Sequence, residues 1–173
     1  MNTRFWPTLR SWLWTLFCLI VVVSAFNLWR TRDIPTQAPH FSAPLLNGDR
    51  FDLNTSRVQH PNQPLALIFW AQWCPICRTE EHSINRLVHD PDLKVLVVAT
   101  QSGDAQAVKQ TLRERGHDDW NVLIDEEGDL MRAFGFSAVP VFVVIDAQGQ
   151  IRHPQIGYTS ELGMRARLWL SRF

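Results

Sequence analysis

The chain has 173 residues, 46% of them apolar, and its seventeen Lys and Arg are balanced by seventeen Asp and Glu. That length suits one folded domain with an appended segment and excludes a second core. Zero net charge, with no Lys/Arg stripe interleaved with aromatics, argues against nucleic acid as a partner, and three cysteines are too few for a disulfide framework, so packing must hold the fold.

In chain order, the first feature is the stretch from Trp12 to Trp29, eighteen residues without a charge, bracketed by Arg4 and Arg10 before and Arg30 and Arg32 after. As a helix it reaches about 27 Å, close to the thickness of a hydrocarbon core. Trp6, Trp12 and Trp14 at one end and Trp29 at the other match an interfacial aromatic belt. Residues 1–30 therefore read as an N-terminal membrane anchor with one transmembrane helix. Cleavage after Ala25 is the alternative, since Val23-Ser24-Ala25 offers small residues to a signal peptidase, although a signal's apolar region should be shorter. Two arginines on each side leave the orientation nearly balanced. Cys18 reads as an apolar residue in the bilayer, because Phe17 before it is too large for a lipoprotein cleavage site.

Residues 31–39, with Pro35 and Pro39 among polar neighbours, read as an extended tether, and residues 40–173 as the folded domain. Phe41 to Leu46 and Arg50 to Leu53 flank Asn47-Gly48, a pair suited to a tight hairpin turn. Thr55 to Pro64 reads as a polar loop. Leu65 to Trp70 is a buried strand, Pro75 to Val88 a helix ended by Asp90-Pro91, and Leu93 to Thr100 a second buried strand. A helix over Asp104 to Arg115 stops at Gly116. A short strand over Trp120 to Ile124, a helix or turn over Glu126 to Phe134, a strand over Val141 to Ile145, its antiparallel partner over Gln150 to Ile156 and a closing helix over Thr159 to Arg172 complete the chain. Near-continuous apolar strands separated by helices imply a central sheet covered on both faces.

The chemistry sits at Trp73-Cys74-Pro75-Ile76-Cys77, where the apolar strand turns into a helix. Pro75 suits the first helical position, where a missing N–H removes nothing the helix needs. Cys74 then caps the helix, and the unpaired N–H groups and positive dipole end favour a thiolate there. Its pKa should fall below the free value of about 8.5, into the roughly 3.5–7.5 range of such motifs. Cys74 reads as the nucleophile. Cys77, one helical turn inward, reads as the thiol that resolves the exchange. Such chemistry belongs outside the cytoplasmic reducing pool.

The order hairpin, strand, Trp-Cys-x-x-Cys helix, strand, helix, then a proline just ahead of a strand–turn–strand resembles the thioredoxin superfamily over residues 38 to 172. Ala38-Pro39-His40-Phe41, Phe134-Gly135-Phe136, Val139-Pro140 and Val144-Ile145-Asp146-Ala147-Gln148-Gly149 look like its membrane-anchored TlpA-type branch. Cys-Pro-Ile-Cys followed by Arg78-Thr79-Glu80 looks most like the suppressor-of-copper-sensitivity D (ScsD) group of Gram-negative bacteria. The resemblance implies a thioredoxin-like α/β fold, a central mixed sheet flanked by helices with an N-terminal β-hairpin extension. It implies a protein disulfide oxidoreductase acting as a reductase, anchored in the inner membrane with its catalytic domain in the periplasm and needing no cofactor.

The resemblance also assigns roles. Val139-Pro140 matches the family's cis-proline, although an X-Pro bond by itself is cis only about 5–6% of the time; the Val139 backbone would then pair with an extended client in a strand-addition mode. Thioredoxin's Asp, six residues before the first cysteine, is replaced here by Ile68. TlpA-type reductases use an acidic residue six after the first cysteine, which Glu80 matches. Helical spacing leaves both Glu80 and Glu81 within a turn of Cys77. Trp73 would line the client groove, core packing being the alternative. The implied partners are client proteins with cysteines or disulfides and a membrane thiol transporter of the DsbD or ScsB kind, with the chain acting as a monomer. A copper carrier using Cys74 and Cys77 is the other class of reading, but His40, His60, His82, His89, His117 and His153 form no close pair in sequence and a Cys-x-x-Cys alone is half a metal site.

Overall fold

The computed structural model of the chain describes residues 11–22 and 34–172. Its contacts divide it into two units, Met1–Ile34 and Pro35–Phe173. In the first, residues 11–22 form a helix, α1, with every residue exposed. Among the described residues no helix is long and apolar enough to cross a membrane. The rest of the Trp12–Trp29 span lies outside the described residues, as do its flanking arginines, the small residues before Ala25 and tether residues 31–33.

In the second unit a five-stranded sheet runs in the order β5-β4-β3-β6-β7. Its members are β3 (Leu65–Trp70), β4 (Lys94–Thr100), β5 (Val122–Asp125), β6 (Val141–Ile145) and β7 (Ile151–Ile156). β3 pairs parallel with β4 and antiparallel with β6, and the outer pairs repeat that split, parallel for β4–β5 and antiparallel for β6–β7. This is the mixed sheet of a thioredoxin-like α/β fold. Every residue of β3 is buried, which is why it reads as an unbroken apolar run rather than an alternating one. Ala66, Ile68 and Trp70 enter a core with Ile84 and Leu87 of α3 (Pro75–Val88), Val108 and Leu112 of α4 (Ala105–Arg115), and Met164 and Leu168 of α6 (Glu161–Leu170). On the other face Phe69 meets Phe134 and Phe136 with ring centroids 5.6 and 5.4 Å apart, and Phe41 reaches Phe134 at 5.8 Å.

β1 (Ser42–Pro44) and β2 (Arg50–Asp52) pair antiparallel, with Ser42 opposite Asp52. The chain between them turns at Gly48, whose φ of 93° lies in the left-handed region that a side chain disfavours. Leu46 then donates its N–H to Val122 O at 2.8 Å, so this segment covers the free edge of β5.

The segment after β2 departs from the sequence reading. Leu53–Gln59 is a helix, α2, not a polar loop. Asp52 caps it by accepting the Thr55 N–H at 2.8 Å, and it buries Leu53 and Ser56. The Glu126–Phe134 segment narrows to a five-residue helix, α5 (Asp129–Ala133), whose first N–H groups are taken by the buried Asp125 carboxylate at 2.9 and 3.1 Å. Trp120, read as the start of a strand, is instead a buried side chain in the loop before β5, donating its indole N–H to Asn85 at 2.9 Å.

Candidate active site

β3 ends at Trp70, and the loop Ala71-Gln72-Trp73 hands the chain to α3. Cys74 is the N-cap, with extended φ and ψ of −87° and 113°, and Pro75 follows at the helix start. The Cys74 sulfur accepts the Cys77 N–H at 3.2 Å, so one of the helix's unpaired donors points at it. Both cysteines are free thiols, and the two differ in access: Cys74 is 4% exposed and Cys77 0%. Burial pushes the Cys77 thiol well above its ordinary range, and the hydrogen bond to Cys74 adds to this. Cys74 is thus the outer sulfur of the pair, and burial favours the thiol form of the inner one.

The strand–turn–strand of β6 and β7 delivers the other wall. The Val139–Pro140 bond is cis, and Cys74 Sγ lies 3.7 Å from the Val139 carbonyl oxygen. Around this junction Trp73, Ile76 and Tyr158 are 59%, 47% and 57% exposed. Trp73 is therefore not core; its indole N–H donates to Gln101 O at 2.8 Å, which lays the ring beside the cysteines' loop.

The fold separates the two glutamates that helical spacing left equivalent. Glu80 is 1% exposed, and burial raises its carboxyl from 4.5 to about 7, against the opposing effect of the Thr159 backbone N–H that it accepts. Its charge acts on the Cys77 thiol. Glu81 faces away into an ion pair, accepting from Arg115 Nη1 at 2.5 Å and from the Trp70 indole N–H at 3.2 Å. Gly157 donates its N–H to Pro140 O at 2.8 Å, so the three residues Gly157–Thr159 bridge the cis-proline and Glu80. Sequence reasoning missed this bridge, because backbone donors leave no trace in residue type.

Among the described residues no three His, Cys, Asp or Glu side chains gather as a metal-ligating group, and His82 is exposed. The site is a dithiol with a buried acid behind it and an apolar rim in front.

Comparison with known proteins agrees with this geometry. The family model described as AhpC/TSA matches residues 34–154. The thiol:disulfide interchange protein DsbE of Yersinia pestis is 30% identical over 155 residues, covering 82% of this chain and 80% of that protein. The thioredoxin-like protein YneN of Bacillus subtilis is 25% identical over 171 residues, covering 92% and 98%. A solved structure of a secreted Mycobacterium tuberculosis disulfide oxidoreductase homologous to DsbE superposes with a TM-score of 0.60 at 25% identity, over 75% of this chain and 95% of that one. With a reactive cysteine pair set at a helix mouth against a cis-proline, the chain belongs to the AhpC/TSA family and is a thiol–disulfide oxidoreductase of the thioredoxin-like, DsbE type.

Proposed function

We propose that this protein is a membrane-anchored, periplasm-facing reductase of protein disulfides. The Cys74 thiolate attacks one sulfur of a client disulfide; that S–S bond breaks, and the departing client thiolate takes up a proton. Cys77 then gives its proton to the Glu80 carboxylate and attacks Cys74 Sγ. The second client sulfur leaves, the Cys74–Cys77 disulfide remains, and two electrons have passed to the client. Val139 offers its backbone to the client strand and Trp73 lines the groove.

The observation that carries the reading is the placement of Cys74 Sγ, capping α3 and 3.7 Å from Val139 O. The raised proton affinity of Glu80 supports its role, since a base works best with a pKa near the working pH. The anchor rests on the uncharged run from Trp12 to Trp29, the periplasmic side on where structural disulfides occur. The narrower likeness to ScsD rests on Cys-Pro-Ile-Cys with Arg78-Thr79-Glu80. Recharging the oxidised pair falls to a membrane thiol transporter of the DsbD or ScsB kind.

The test mixes the reduced full-length chain, in detergent, with a protein carrying one accessible disulfide. Client thiols should appear at the expense of the Cys74–Cys77 pair and not with Cys74→Ser. A client disulfide left intact, together with stoichiometric Cu(I) uptake, would favour the copper carrier instead. Retention in membranes after alkaline extraction tests the anchor; release into the supernatant would remove it.

A further inference from the structure

The loop that carries the nucleophile is held from outside the dithiol by a cluster of hydrogen bonds converging on Gln72, two residues before Cys74. The Gln72 N–H donates to Ser102 Oγ at 3.0 Å and its side-chain amide donates to Ser102 O at 2.8 Å. Its amide oxygen accepts from Thr111 Oγ1 at 2.5 Å, and its backbone oxygen accepts from Arg115 Nη2 at 2.9 Å. Thr111 and Arg115 lie one turn apart on α4, so a single helix face reaches the loop twice. Ser102 is 1% exposed and donates in turn to Thr100 O, which ties the cluster to the end of β4.

The neighbouring residues are fixed from the same side. Trp73 is bonded to Gln101 O, and Gln101 sits at a φ of 46°, a left-handed conformation that a non-glycine residue holds only when its surroundings impose it. Ala71, on the other side of Gln72, accepts the Cys74 N–H at 3.1 Å. Both backbone polar groups of Gln72 are therefore bonded outside the dithiol, to Ser102 and Arg115, while Ala71 O ties the loop to Cys74. None of these bonds touches either sulfur or the Glu80 carboxylate.

We infer that Gln72, clasped by Ser102, Thr111 and Arg115, is a positioning residue that keeps Cys74 Sγ on the Cys77 N–H and so sets the reactivity of the nucleophile. The inference rests on Cys74 being the attacking thiol. When the clasp loosens, the sulfur spends less time on its donor, the thiolate loses that stabilisation, and attack slows at low pH while the fold remains.

Thr111→Val tests this without altering charge or shape, and Ser102→Ala removes a different bond of the same clasp. The reduced full-length chain is alkylated with iodoacetamide from pH 5 to 10, and each thiol is followed by mass spectrometry. In both variants Cys74 should react roughly threefold more slowly than in the wild type at pH 6 and at about the wild-type rate at pH 10. Thr111→Ser should restore the wild-type profile. If Cys74 labels before Cys77 in the wild type and both variants keep its profile, the clasp is refuted and the nucleophile stands. If Cys74 does not label before Cys77 in the wild type, the reading beneath the clasp is refuted instead. Should one variant fail to fold, the other decides.

Discussion

Replacing Glu80 by Gln removes an ionisable group while keeping a carbonyl oxygen for the Thr159 N–H. Burial raises this carboxyl from 4.5 to about 7, which corresponds to about 3 kcal/mol between the protonated and ionised forms of the folded chain. The sign follows from where the proton is held more tightly. Below 4.5 both folded and unfolded chains carry it, and the stability is fully present. Between 4.5 and about 7 the unfolded chain ionises first, so folding weakens; above 7 both are ionised and the whole loss has been incurred. Glu80→Gln lacks this loss. Urea unfolding of the two reduced chains should therefore converge towards pH 4 and diverge towards pH 9, where the variant should be the more stable by roughly 2–3 kcal/mol. Losing the Glu80 charge also removes its upward push on the Cys77 thiol, which favours the variant at alkaline pH in the same direction. In exchange, the variant should let the mixed disulfide accumulate, because its resolution at pH 7 slows on the order of a hundredfold without the base. A stability difference that is flat with pH, or resolution at the wild-type rate, would refute the reasoning.

Glu81→Ala should behave differently from its neighbour: it strands the Arg115 guanidinium and should cost roughly 2–3 kcal/mol in urea unfolding, less than a fully buried pair because Arg115 keeps some solvent. In the reduced chain Cys77, fully buried and with its thiol pushed up, should stay unalkylated at pH 7 while Cys74 reacts, as peptide mass mapping would show. Leu53→Ala should destabilise the chain by about 3 kcal/mol, and Val58→Ala, exposed on the same helix, by close to nothing; equal effects in thermal unfolding would contradict the packing of α2.

What the sequence disclosed, and what it hid, follows from the range of each interaction. β3 and the start of α3 were legible because their signals are local: an uncharged strand, then Cys74 at the cap and Pro75 at the helix start. α2 was hidden because one of its two buried residues is Ser56, so its inward face carries too little apolar pattern to show a period. Its cap, Asp52, was present but unread. Glu80 and Glu81 were inseparable from spacing alone, since what tells them apart arrives from far along the chain. Arg115 comes from α4 to neutralise Glu81, and Thr159, 79 residues away, gives its N–H to Glu80. Gln72 carries no local signal between Ala71 and Trp73 for the same reason: its partners lie 30 to 43 residues on.

The most direct test of the account is to trap the covalent intermediate. Cys77→Ala, mixed with a disulfide-bearing client, should yield a complex whose mass is the sum of the two chains and whose linkage maps to Cys74. Cys74→Ala should yield none. A complex formed through Cys77, or none with Cys77→Ala when the wild-type chain reduces the same client, would contradict the claim that Cys74 is the sulfur that attacks.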